Sequence, residues 1–342
     1  MRNALFCAEP ALLYELGYSC DNGIALLIDG EKLFITDSRY TEEAREILNP
    51  QGIRVIESYD IIAEAARIIR LSGEQLFWID PKEWNSWQLE RLTLKSRVRW
   101  HKVPDLSKKR RRIKRADEIS KLKIAAGLGA EAFEALGEWI ASEGIGCSER
   151  MINKKARTLL SNDGERPLSF EPITAINANA SKPHARVTDT ILHEGDLLLI
   201  DAGLKFQGYC SDRTRTVVAG RKMQMGLSQH FSDALIQRAY DTLRRAQEKA
   251  IGAAKPGMKA RELDLTARQI ITEAGFGDYF IHSLGHGVGL EIHELPVISK
   301  KSNEILEEGM VFTIEPGIYI PGHFGIRLEE MVLLESSGAE VL

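Results

Sequence analysis

With 342 residues, 44% of them hydrophobic and 27% charged, the chain is long enough for two domains around sizeable cores. A net charge of −4 gives no general reason to expect a nucleic-acid partner; no apolar run reaches the length of a membrane span, and the short polar start lacks the form of a signal peptide. The four cysteines, Cys7, Cys20, Cys147 and Cys210, lie far apart without a CxxC pair and read as reduced thiols of a cytoplasmic protein, neither a disulfide framework nor a zinc site.

Residues 1–105 read as a small α/β domain. GIALLIDG and KLFITD form a predicted strand pair turning at Asp29-Gly30, YTEEAREIL and YDIIAEAARIIRL carry helical spacing, and QLFWID is another short strand. Pro104 and the basic run KKRRRIKR, 108–115, then mark a boundary. No aromatic residue interleaves with that run, so 106–116 reads as an exposed basic linker rather than a nucleic-acid surface. The second domain, 117–342, opens with an amphipathic helix over 117–141, its apolar positions Ile119, Leu122, Ala126, Phe133, Leu136 and Ile140 stepping by three and four. A helix near 148–161 follows the caps Ser148 and Glu149, and strands are expected near 173–177, 196–202 and 209–218. The order then repeats: helices near 229–252 and 259–274, the latter stopped by Gly275, and strands near 287–293, 310–315 and 326–334.

The letters repeat as well. ILHEGDLLLIDAG, 191–203, aligns without a gap on ILEEGMVFTIEPG, 305–317, with six identities, and Asp201 falls opposite Glu315. Each segment leads through a glycine-containing connection to another acid-bearing strand, with Asp212 and Glu329 respectively. An internally duplicated α/β domain would gather these four carboxylates around one centre. Ionised acids so close raise one another's pKa at a cost of several kcal/mol unless compensated. Two divalent cations about 3.5–4 Å apart supply that compensation, and generate hydroxide near neutral pH.

One imidazole would complete such a set, and HSLGHGVGLEIHE, 282–294, offers His282, His286 and His293. Gly285, Gly287 and Gly289 oppose a helix there. Val288, Leu290 and Ile292 alternate with Gly289, Glu291 and His293, which reads as a strand on which His286 and His293 face opposite ways.

Taken together, DAGLKFQGYCSDRTRT, HSLGHGVGLEIHELP and EPGIYIPGHFGIRLEE resemble the pita-bread metallopeptidases of family M24, in the branch that cleaves bonds to proline, aminopeptidase P and prolidase. The resemblance covers about 115–342 and extends more weakly through LFITDSRYTEEA into the smaller N-terminal domain. It implies an α/β (α+β) architecture, with a pita-bread catalytic domain of internal pseudo-two-fold duplication behind a small α/β domain. It also implies two divalent ions per subunit held by Asp201, Asp212, His286, Glu315 and Glu329, with Asp212 and Glu329 bridging. In the implied mechanism a metal-bridging hydroxide attacks the carbonyl before proline. Glu315 is the general base, His293 hydrogen-bonds the tetrahedral intermediate, and His184 and His282 help to position the substrate. Arg327, two residues before Glu329, would steady a bridging carboxylate. His323, in the IPGHFG loop, reads as a surface residue.

Oxygen-rich ligation with one imidazole leans to Mn²⁺, while Co²⁺ or Zn²⁺ also fit. The expected partners are short proline-containing peptides and a second copy of the chain, with no nucleic acid and no membrane. Methionine aminopeptidase is the nearest alternative, since it shares this fold and the words GHGVG and HELP. The additional N-terminal domain and the EPGIYIPG…GIRLEE ending favour the proline branch. A non-catalytic binding relative, or creatinase-like chemistry without metal, is disfavoured because all five ligand positions carry the expected residue type. In one respect the chain departs from the family: its first domain begins almost at a strand, where a helix usually comes first. That leaves the subunit contact open, and with it the choice between dipeptides and longer peptides.

Overall fold

In the computed structural model, which describes residues 1–94 and 97–342, the chain divides into two units, Met1–Arg111 and Arg112–Leu342. The first runs β1 (Ala4–Phe6), α1 (Glu9–Leu16), β2 (Gly23–Ile28), β3 (Glu31–Thr36), α2 (Thr41–Leu48), β4 (Arg54–Glu57), α3 (Ile61–Leu71), β5 (Leu76–Ile79), α4 (Ser86–Thr93), β6 (Arg99–Lys102) and α5 (Leu106–Arg111). One mixed sheet, of order β4-β3-β2-β1-β5-β6, carries a core on each face. Phe6, Ala25 and Phe34 point to one side, and Leu5, Ile24, Leu26 and Ile35 to the other. The near-continuous apolar runs of its central strands follow from that two-sided burial. The foreseen turn is present: Asp29 and Gly30 have φ of 49° and 90°, the mirror-image turn whose twist matches the strands it joins.

Helix α1 does not stand out in the sequence. Pro10 in its first turn and Gly17 in the left-handed conformation after its end bound only eight residues, too few for periodicity to show. The basic run also differs from the expected exposed linker. Its first part is α5, in which Arg111 is buried and donates to Ser107 Oγ at 2.7 Å. Further on, Arg112 pairs with Glu307 at 2.5 Å and Lys114 with Glu294 at 2.9 Å. Acids almost two hundred residues away draw these cations inward, and nothing within the run itself signals them.

The second unit repeats one pattern twice. First come α6 (Ala116–Trp139), α7 (Glu149–Ser161), β7 (Ile173–Ile176), β8 (Leu197–Ala202), the ribbon β9 (Lys205–Phe206) with β10 (Tyr209–Cys210), and β11 (Arg213–Val218). Then follow α8 (Ala234–Ala253), α9 (Ala260–Glu273), β12 (Gly285–Gly287), β13 (Glu294–Ile298), β14 (Val311–Ile314), the ribbon β15 (Gly317–Ile320) with β16 (Phe324–Arg327), β17 (Glu330–Glu335) and β18 (Gly338–Val341). The sheets read β11-β8-β7 and β13-β12-β14-β17-β18, so β8 and β14 occupy equivalent places. Isolated bridges Ser148–Ile191 and Lys259–Ile305 tie the start of α7 and of α9 to the first residue of each repeated word. The side chain of Ser148 caps α7, accepting from the Met151 amide. Helix α8 begins later than expected because Asp233 caps it, its carboxylate accepting from Leu235 and Ile236.

Three expected strands are interrupted. The run 209–218 breaks after Cys210 and resumes at Arg213, and 326–334 breaks after Arg327 and resumes at Glu330. In place of a strand over 287–293, β12 ends at Gly287 and the chain bends until β13. Among the described residues no helix is long and apolar enough to cross a membrane, and the four cysteines are free thiols.

Candidate active site

Two of the four acids sit in these interruptions. Asp201 lies near the end of β8 and Glu315 just past the end of β14, while Asp212 and Glu329 occupy the gaps before β11 and β17. His286 is at the middle of β12. Close backbone approach makes this possible: a Cβ on Gly203 would fall 1.9 Å from the Ser211 carbonyl oxygen, and one on Gly285 1.9 Å from that of Thr313. Only glycine permits either contact.

One ligand atom from each of Asp212, His286 and Glu329 lies within 4.8 Å of the others. His286 Nε2 is 3.6 Å from Asp212 Oδ2 and 3.4 Å from Glu315 Oε1. Its Nδ1 lies 3.2 Å from the Gly287 carbonyl. A carbonyl only accepts, so Nδ1 carries the hydrogen and Nε2 turns a lone pair toward the acids. Burial, reinforced by neighbouring His293, holds His286 down to about 4, so it is a neutral imidazole near pH 7. That is the tautomer and charge state of a metal-binding histidine.

The acids are strained electrostatically. Burial first, then the charges of Glu329, Asp201 and Glu315, push Asp212 well above the ordinary carboxylate range. Burial and Glu329 do the same to Glu315. Glu329 is pushed up to about 7 by burial and Asp201, while Arg327 and a hydrogen bond from Thr214 pull the other way. Among the described residues Arg327 is the guanidinium that meets this cluster, 2.5 Å from Asp201 and 3.9 Å from Glu315. One cation against four carboxylates leaves most of the charge uncompensated. Asp201 Oδ1 is buried with no hydrogen-bond partner, the state of an oxygen reserved for a ligand the protein does not itself supply. Hard oxygen donors with one neutral imidazole fit divalent metal ions.

A model of metallopeptidase family M24 matches residues 120–336. The chain belongs to that family. Over 342 aligned residues, 99% of this chain and 92% of the relative, it is 36% identical to the Xaa-Pro dipeptidase of Pyrococcus furiosus. It superposes on the Xaa-Pro dipeptidase from Bacillus anthracis with a TM-score of 0.88 at 31% identity, covering 99% of this chain and 92% of that one. With the X-Pro aminopeptidase from Thermotoga maritima the TM-score is 0.87 at 30% identity, covering 100% and 95%. The expected pita-bread architecture behind a smaller α/β part therefore holds for this M24 metallopeptidase, and the carboxylate–imidazole cluster is its candidate metal site.

The other histidines surround the cluster of this M24 peptidase unequally. The bend after β12 brings the His293 ring to 4.4 Å from that of His286, where an unbroken strand would have separated them. His293 and His184 are both exposed. His184 follows Pro183, whose carbonyl accepts from Arg327 at 3.4 Å. His282 is held to about 4 by burial and by Arg327. Its Nδ1 faces the Ser283 carbonyl at 2.7 Å, so Nε2 accepts from Tyr319 Oη at 3.1 Å. His323 sits exposed at the ribbon turn against Phe324.

Arg327 reaches Glu329 through a relay. It donates to Asp201, to Tyr319 Oη at 2.8 Å and to Thr214 Oγ1 at 3.1 Å. The Thr214 hydroxyl passes the contact on to Glu329 Oε2 at 2.5 Å. Burial works against the charge of Arg327, but Tyr319, Asp201, Glu315 and Glu329 outweigh it. Thr214, Tyr319 and Thr313, which donates to Glu315 Oε1 at 3.3 Å, are absent from the sequence reading. For Thr214 a signal was available: Asp212, Thr214 and Thr216 alternate in SDRTRT and share one face.

Proposed function

We propose that this chain is a two-metal exopeptidase that hydrolyses the bond before proline in Xaa-Pro peptides, with residues 117–342 as its catalytic part. The observation that carries this reading is the set of buried Asp201, Asp212 and Glu329 with half-buried His286 and Glu315, its uncompensated charge and the unpartnered Asp201 oxygen. These five would hold the ions, of which Mn²⁺ suits the oxygen-rich donors best and Co²⁺ or Zn²⁺ also fit. The names of the similar proteins, Xaa-Pro dipeptidase and X-Pro aminopeptidase, support proline as the residue after the scissile bond. An imide to proline lacks the N–H that other peptidases engage, so a dedicated site is chemically reasonable.

Bound divalent ions would supply a water-derived nucleophile near neutral pH and Lewis-acid stabilisation of negative charge. The chain's own residues do the rest. Glu315, at the edge of the cluster beside His286, accepts the proton of the attacking water and passes it to the leaving nitrogen. His293, exposed and against His286, hydrogen-bonds the developing oxyanion. His184 lines the substrate side, while His282 forms a fixed wall whose nitrogens hold Ser283 and Tyr319.

The test is to strip the protein with a chelator, restore Mn²⁺, Co²⁺ or Zn²⁺ separately, and assay three peptides. Metal-dependent cleavage of an Xaa-Pro dipeptide alone makes it a dipeptidase, and cleavage of an Xaa-Pro-Xaa tripeptide makes it an aminopeptidase. Cleavage of a Met-Ala-Ser control alone moves it to the methionyl branch. No cleavage by protein carrying two ions overturns the proposal.

A further inference from the structure

Away from the metal cluster, one carboxylate is fully buried and meets only neutral donors. Glu149, the first residue of α7, has 0% exposure. Its Oε1 accepts from the Ile176 amide at 2.7 Å and from Asn179 Nδ2 at 3.1 Å. Its Oε2 accepts from Asn179 Nδ2 at 2.9 Å, the Thr188 amide at 2.6 Å and Thr188 Oγ1 at 2.7 Å. Among the described residues no Lys or Arg forms an ion pair with it. A buried anion of this kind is retained only when hydrogen bonds replace its water.

The donors share a purpose. Ile176 and Thr188 are the two ends of the loop that carries His184, and Asn179 links Glu149 to the Arg186 carbonyl at 3.0 Å across it. The far side of the loop is seated against the active-site ribbon. The Ala180 carbonyl oxygen lies where a Cβ on Gly325 would be, only 1.8 Å from it, and the Pro183 carbonyl accepts from Arg327 at 3.4 Å. His184 is the exposed side chain that follows, and Ala185 turns inward again.

We infer that Glu149 is a positioning residue: it closes the base of the 177–187 loop so that His184 is presented to the substrate, and it acts on the reaction only through His184. This rests on the proposed function, in which His184 lines the substrate side. Glutamine at this position keeps the shape but replaces an acceptor oxygen with an NH₂ that faces donors it cannot accept from.

The experiment is a double-mutant cycle on the metal-loaded enzyme with E149Q, H184A and the pair, reading KM and kcat for an Xaa-Pro dipeptide together with bound metal. E149Q is expected to lower kcat/KM by about tenfold, mostly through KM, with metal content unchanged. In the H184A background it is expected to change kcat/KM by less than about twofold, because the group it positions is gone. Losses that multiply, or an E149Q enzyme as efficient as the wild type, overturn the inference. If H184A alone is silent, it is the role given to His184 that fails, and the inference falls with it. Should E149Q not fold, N179A takes its place in the cycle with the same expected non-additivity, since it cuts the link to Arg186 and leaves the loop ends attached.

Discussion

Thr214→Val deletes one hydroxyl while nearly conserving volume. That hydroxyl is fully buried, donates to Glu329 Oε2 at 2.5 Å and accepts from Arg327 Nε at 3.1 Å. Glu329 already sits at about 7, because burial and Asp201 raise it and Thr214 is one of the groups opposing them. A hydrogen bond to an ionised partner is worth about 1.5–3 kcal/mol. Divalent ions need Glu329 ionised, so losing the bond should weaken their binding at pH 7 by roughly ten- to a hundredfold. Thr214→Ser keeps the hydroxyl and should restore most of the affinity, which separates this effect from lost packing. The assay is a calorimetric titration of chelator-stripped protein with Mn²⁺, run for wild type, T214V and T214S. An affinity for T214V within about threefold of wild type, a difference under about 1 kcal/mol, would refute the reasoning.

Lys114→Met leaves the Glu294 carboxylate without its 2.9 Å ammonium partner where both side chains are fully buried. Urea unfolding of the metal-loaded protein should show a loss of about 3–5 kcal/mol, and a loss below about 1 kcal/mol would contradict the buried pair. The stabilisation given by metal should also depend on pH. Glu329 is raised from 4.5 to about 7, and Asp212 and Glu315 are raised too. The folded metal-free chain thus holds these protons more tightly than the unfolded one, and loses stability as pH rises through that window. Bound metal removes the penalty. His286, held to about 4, is neutral throughout and adds no competition there. The rise in melting temperature produced by saturating Mn²⁺ should therefore be small near pH 5 and full above pH 7.5, and the opposite trend would contradict the protonated-cluster picture.

The acids of the site were legible because duplication left a trace in the letters: the matched words place Asp201 opposite Glu315, and the bridges Ser148–Ile191 and Lys259–Ile305 show the same equivalence in space. The pairing of His286 with His293 was not legible. Alternating apolar residues in GVGLEIH imitate a strand, while the chain bends there, with Glu294 Oε1 accepting from the Glu291 amide. Tyr319 acts through a hydroxyl on an otherwise ordinary strand, whereas Thr214 carries the alternation of SDRTRT that links it to Asp212. Arg112 and Lys114 looked like part of a solvated run because their partners Glu307 and Glu294 are set by tertiary structure. Short elements such as α1 escaped for a different reason, since eight residues span little more than two helical turns.

The most direct measurement is a titration of stripped wild-type protein with Mn²⁺, following bound metal and hydrolysis of an Xaa-Pro dipeptide in the same sample. Activity should rise from none and level off as the second ion per chain binds. Undiminished hydrolysis by the stripped protein, or two bound ions with no hydrolysis, would contradict the metal-dependent cleavage assigned to Asp201, Asp212, His286, Glu315 and Glu329.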